Sequence, residues 1–162
     1  MTGAMSAPPR SYAGHAHGGL PWKDHVLAAF EREGFRAGGA RSAVVELLAE
    51  QDCCLSAQEI FDRLRGGDRR VGIASIYRVL DQLFQMQLVQ RVDVGGGVAR
   101  FEAAHPDGDH HHHLVCNACG RVVAFEDAML EAELDRVAER LGASVAGHEL
   151  VLHGSCADCS RG

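Results

Sequence analysis

Three things are scarce in this 162-residue chain. No apolar run approaches the roughly 18 residues that a membrane-spanning helix needs, so a membrane span is not expected. The first 19 residues carry Pro8, Pro9, Gly14, Gly18 and Gly19 but no hydrophobic core segment, so they do not read as a secretory signal. With neither feature, a cytoplasmic protein is the default expectation. Positive charge is also in deficit, at a formal net −6, which argues against a nucleic-acid partner if the charge is evenly spread.

It is not evenly spread. Through Val92 there are 11 basic and 10 acidic residues, whereas from Asp93 onward there are 5 and 12. The second half also carries seven of the ten histidines: His105, His110, His111, His112, His113, His148 and His153. An acidic half rich in His and Cys suits cation binding. The near-neutral half can still meet DNA through one locally basic face, which net charge does not decide.

With 46% apolar and 23% charged residues, the chain is long enough for one compact domain or two small ones. Past a loose leader at 1–19, apolar residues recur at helical spacing over Trp22–Gly34, Arg41–Gln51 and Ser75–Gln87. Ser56-Ala57-Gln58-Glu59 reads as a capping box opening another helix. The period then changes to two over Val89–Asp93, and Val98–Phe101 follows the turn Gly95-Gly96-Gly97, as in a β-hairpin. Helices followed by a hairpin predict a winged helix-turn-helix domain over 20–102, a DNA-binding architecture. A polar hinge linker is expected at 103–109. Beyond it, strands at His113–Cys116 and Arg121–Phe125, a helix at Asp127–Leu141 and a closing strand at Ala143–Leu152 predict a small α/β unit over 110–162. The class is α+β. So few residues bury a thin core, and the second unit is expected to need a metal, a partner subunit or both.

Cys116-x-x-Cys119 and Cys156-x-x-Cys159 are two knuckles 36 residues apart. Each turn can offer two thiolates, and two turns complete a tetrahedral four-sulfur zinc site. Disulfides fit poorly in a chain expected to be cytoplasmic, and a redox role fits less well since neither knuckle opens a helix. Cys53 and Cys54 stand apart, and taken alone read as small buried residues. The run His110–His113 leads into a strand, whose alternation sends His111 and His113 to one side and His110 and His112 to the other. Two metal sites, one per face, could be built this way, with Glu131 and His148 in reach of the second. The bland alternative is a solvated polar run.

In combination these features resemble the ferric uptake regulator family of metal-sensing transcriptional repressors over roughly Leu20–Cys159. The resemblance rests on Gly72-Ile73-Ala74-Ser75-Ile76-Tyr77-Arg78-Val79-Leu80, on Phe101-Glu102, on the stretch from His110 to Gly120, and on His148 with Gly154–Cys159. It implies a homodimer that binds a double-stranded DNA operator when metal loading closes its shape. It further implies three metal sites. Cys116, Cys119, Cys156 and Cys159 look like the structural zinc site. Glu102, His111 and His113 match three ligands of the sensor site, whose usual fourth ligand, a histidine, is here replaced by Cys54. His105, Asp107 and Asp109 in the linker are alternatives to Glu102. His110, His112, Glu131 and His148 match the third site. A thiolate ligand favours zinc over ferrous iron at the sensor site, with iron next and a peroxide sensor third.

On the DNA side, Ser75, Tyr77 and Arg78 match the family's recognition helix. A tyrosine ring can pack on a thymine methyl, and arginine can grip guanine or phosphate. Arg41 matches a backbone-contacting arginine, and Arg36 a basic residue that probes the minor groove. The reading is a regulator, not an enzyme. Its rivals are a metal-buffering protein, which metal-dependent operator binding would exclude, and a thiol redox enzyme, which zinc-filled knuckles would exclude.

Overall fold

The computed structural model describes residues 21–36, 38–51, 53–67, 71–104 and 111–161. The leader, His110 and linker positions 105–109 lie outside these.

The first unit packs four helices against a three-stranded sheet. The helices are α1 (Trp22–Arg32), α2 (Ala40–Ala49), α3 (Ala57–Leu64) and α4 (Ile73–Gln85), and the strands are β1 (Leu55–Ser56), β2 (Val89–Val92) and β3 (Arg100–Ala103). The core forms because each helix contributes one apolar stripe. Val26, Phe30, Val44, Ile60, Ile76 and Leu83 have no solvent exposure, each side chain being worth roughly 1.5–3 kcal/mol on burial. The capping box at α3 is complete: Ser56 Oγ accepts from Glu59 N, and Glu59 accepts from Ser56 N. Glu59 also pairs with Arg100 at 2.7 Å, tying α3 to the base of the wing.

Some details depart from the sequence expectation. Helix α4 ends at Gln85 rather than Gln87, because Gln87 takes φ +57° and turns the chain. The Gln87 N–H then donates to Phe84 O and the Leu88 N–H to Leu83 O, a Schellman ending with glutamine where glycine is usual. The two-residue strand β1 was not expected; it pairs antiparallel with β3 through Leu55 and Phe101, and β2 pairs along the other edge of β3. Trp22 Nε1 donates to Leu88 O at 2.8 Å, locking α1 to the entry of the wing. Strand β3 runs through Ala103, one residue past the expected domain end.

The second unit holds β4 (His112–Cys116), β5 (Val122–Phe125), α5 (Ala128–Leu141) and β6 (Val151–Gly154). Strand β4 is central, antiparallel to β5 and parallel to β6. The closing strand expected at Ala143–Leu152 is therefore corrected to Val151–Gly154. Its ladder starts where His113 faces Val151, with the His113 N–H donating to Leu150 O just ahead of it. Asp127 caps α5 by accepting from Met129 N and Leu130 N. No residue of α5 is buried; of its apolar stripe, Leu130 and Leu134 are half-buried, while Val137 and Leu141 are 38% and 74% exposed. Among the described residues, no helix is long and apolar enough to cross a membrane.

Candidate metal centres and nucleic-acid face

The two knuckles meet. The turn after β4 and the turn after β6 bring the sulfurs of Cys116, Cys119, Cys156 and Cys159 within 4.8 Å of one another, with Cys119 and Cys156 3.8 Å apart. Two sulfurs about 2.3 Å from one tetrahedral ion lie ~3.8 Å apart, whereas a disulfide needs about 2.05 Å. All four thiols are free. Backbone N–H groups of Cys156, Cys119 and Ala118 point at Cys116 and pull its thiol down to about 6. Cys156 is likewise lowered, chiefly by the backbone at Cys159. Cys159 is pushed up to about 12 by hydrogen bonding with Cys156, Cys119 and Cys116. Four crowded sulfurs of this kind can hold one tetrahedral metal ion.

The second cluster joins the two units. On β3, Phe101 turns into the helical core while its neighbour Glu102 turns the other way, and Gln90 faces Glu102 across the ladder. Glu102 is 5% exposed and meets His111 Nε2 at 3.1 Å and His113 Nε2 at 3.3 Å. Gln90 Nε2 donates to its other oxygen at 2.5 Å. Burial alone would raise this carboxyl; hydrogen bonds from His111, His113 and Gln90 outweigh it and hold it at about 2. His111 is raised chiefly by its hydrogen bond with Glu102. Burial would lower His113, but hydrogen bonds with Cys53 and Glu102 carry it up to about 9.

The cysteines enter this cluster from the segment before β1. Cys53, Cys54 and His113 place their donor atoms within 4.8 Å of one another, as do Glu102, His111 and His113. Thus His113 belongs to both sets, and the thiols reach the site through it. Cys54 is buried and Cys53 half-buried, with their sulfurs 3.9 Å apart. Cys54 and His113 both hydrogen-bond the Cys53 thiol, which falls to about 5 against the pull of burial; Cys54 is raised chiefly by its bond to Cys53. Sequence reasoning put Cys54 in the site with Cys53 as the alternative ligand, and it is Cys53 that hydrogen-bonds His113.

The third cluster lies on the opposite face of β4. His112 Nε2 is 2.5 Å from one Glu131 oxygen, and His148 Nε2 is 3.3 Å from the other. The rings of His112 and His148 are 5.3 Å apart. His110, expected here too, lies outside the described residues.

The surface of α4 that turns from the core carries Tyr77, 52% exposed, and exposed Arg78, with Ser75 half-buried beside them. Arg36 is exposed ahead of α2. Arg41 is partly committed: its Nε donates to Gln82 at 2.9 Å, and its guanidinium sits 5.1 Å above the Phe35 ring.

A winged-helix unit joined through a His/Glu/Cys cluster to a small unit with a four-cysteine centre defines a metal-binding, DNA-binding class of protein. The model of the ferric uptake regulator family matches residues 32–153. The ferric uptake regulation protein of Neisseria meningitidis (serogroup A / serotype 4A) is 35% identical over 140 residues, covering 85% of this chain and 94% of that one. Its Escherichia coli K12 counterpart is 34% identical over 131 residues, with 80% and 87% covered. The crystal structure of the Vibrio cholerae ferric uptake regulator is 31% identical, with a TM-score of 0.69 over 81% of this chain and 99% of that one. The chain belongs to the ferric uptake regulator family. It is a metal-responsive transcription regulator, not an enzyme.

Proposed function

We propose that this regulator is zinc-responsive and represses transcription as a homodimer on an operator in double-stranded DNA, in the cytoplasm. The observation that carries the zinc reading is the pair of thiols at His113. Softer ligands shift a site away from ferrous iron, and Cys53 and Cys54 offer sulfur beside His113, at the edge of the Glu102–His111–His113 set. The knuckle cysteines are assigned to a structural zinc, and His112, Glu131 and His148, with His110, to a third site. The exposed stripe of α5, Val137 and Leu141 included, is the surface assigned to the second copy.

A bound divalent ion supplies one centre of charge that ligands from both units share. Glu102 belongs to the winged-helix unit and His111 and His113 to the other, so only the closed arrangement satisfies all three. Differential affinity for that arrangement is what shifts the population toward it. Ser75, Tyr77 and Arg78 on α4 then read base edges, while Arg36 and the remaining guanidinium donors of Arg41 meet groove and phosphate.

The second reading is iron. The relatives at 35% and 34% identity are named for ferric uptake. The discriminating experiment is metal analysis of the purified chain together with operator binding across buffered zinc and ferrous iron. Zinc dependence at lower free metal than iron, lost in Glu102→Ala with the structural zinc retained, is the expected result. Operator binding driven by ferrous iron and indifferent to zinc would overturn the zinc assignment.

A further inference from the structure

We propose that Cys53, Cys54 and His113 form a second, softer ion site that takes a thiophilic monovalent ion of the copper(I) class and competes with the divalent site for His113. The proposal rests on the reading of Glu102, His111 and His113 as the divalent site.

Three observations carry it. First, the donors fall into two sets, not one: sulfur, sulfur and nitrogen on one side, and oxygen, nitrogen and nitrogen on the other. Each set is compact by itself, and only His113 is common to both. Second, the Cys53 and Cys54 sulfurs are 3.9 Å apart. Sulfurs about 2.3 Å from one ion lie ~3.8–4.0 Å apart for angles between tetrahedral and trigonal, so the pair is spaced to share an ion without a large movement. Third, the set has three members, of which Cys54 is 2% and His113 6% exposed while Cys53 is half-buried. Zinc in protein sites is almost always four-coordinate; soft monovalent copper accepts thiolate-rich sites.

Sharing makes the two sites exclusive. A neutral imidazole offers one lone pair, its other nitrogen carrying the proton. His113 therefore serves one ion at a time. A soft ion held by Cys53 and Cys54 takes both the sulfur and His113 away from Glu102 and His111, leaving the divalent ion only those two ligands. The soft ion also bridges the two units, but through the segment before β1 and not through β3. The consequence is antagonism: copper(I) weakens the response to the divalent ion.

The test uses the zinc-replete full-length chain under anaerobic conditions. Copper(I) is presented from a chromogenic chelator, and cobalt(II) reports the divalent site by its visible absorption. The parent should withdraw one equivalent of copper(I) with its structural zinc retained, and the cobalt(II) band should fall in step. Cys53→Ser and Cys54→Ser should each weaken copper(I) capture by about tenfold or more, since a hydroxyl is a poor soft ligand. Glu102→Ala and His111→Ala should lose cobalt(II) and keep copper(I); His113→Ala should lose both. Equal copper(I) capture by the parent and the double variant Cys53→Ser/Cys54→Ser would overturn the site. So would capture that expels the knuckle zinc, or a cobalt(II) band that copper(I) leaves intact. A parent that never binds cobalt(II) would overturn the divalent reading instead, while cysteine-dependent copper(I) capture would still uphold the soft site.

Discussion

Single residues in this chain act through their neighbours' chemistry more than through their own identity. Glu102 is the clearest case, since burial would neutralise an isolated carboxyl, and three hydrogen-bonding neighbours hold it charged. The knuckle cysteines show the same dependence, because four sulfurs within 4.8 Å can lose their protons together only if a cation compensates. Cys119→Ser should therefore release about one zinc per chain and unfold the second unit or part the dimer, given that structural zinc in small modules is worth on the order of 10 kcal/mol of folding free energy. Elemental analysis with circular dichroism and a sizing column checks it. A variant that stays folded, dimeric and zinc-loaded would sink the four-sulfur assignment.

At the level of elements, helix α4 separates two jobs by face. Ile76, Val79, Leu80 and Leu83 are buried while Tyr77 is half in solvent, so changing Tyr77 should leave the fold alone. Tyr77→Ala should shift thermal stability little, within about 0.5 kcal/mol, yet cost roughly 1–3 kcal/mol of preference for the operator over unrelated DNA. Thermal melts and competition binding on both DNAs measure the two effects. Unchanged preference would mean that another face of the unit reads the bases. The buried stripe of Ile76, Leu80 and Leu83 was legible beforehand from its 3.6-residue period, which also put Phe84 on it although Phe84 is 49% exposed; the outward place of Tyr77 was implied only by the resemblance. The capping box at Ser56 and the two knuckles were legible too, because their chemistry is local. What escaped was non-local. Strand β1 is two residues long and exists only because β3 lies beside it. The limits of β6 follow from its pairing with His113–Cys116 of β4, not from the apolar pattern of Ala143–Leu152. Nothing in the spacing of Cys53 from His113, sixty positions away, told which of two adjacent sulfurs would face the imidazole.

Across the whole molecule, the contact between the two units turns on His113, and in the ion-free protein a proton occupies it. Burial disfavours that proton, but Cys53 and Glu102 hydrogen-bond the ring and hold its pKa at about 9, above its ordinary value. A group whose pKa is raised by folding stabilises the folded arrangement below its ordinary pKa, and that contribution is lost as the pH climbs through the raised value. Closure of the ion-free protein should thus weaken toward alkaline pH. Metal binding must run the other way. Glu102 is ionised at neutral pH and gives up nothing, whereas His113 must release its proton to offer a lone pair. Affinity of the divalent site should accordingly rise by about tenfold per pH unit for each proton released between neutrality and about 9, His113 giving up one and the raised His111 adding to it at the neutral end, and level off beyond. Cobalt(II) titrations across that range, with calorimetry in buffers of different ionisation enthalpy, read both the slope and the proton count. Cys53→Ser removes one of the two partners that raise the ring, so the same titration should flatten in this variant. An affinity independent of pH in the parent would mean that His113 is already neutral in the ion-free protein, and that proton and metal are not rivals for the contact between the two units.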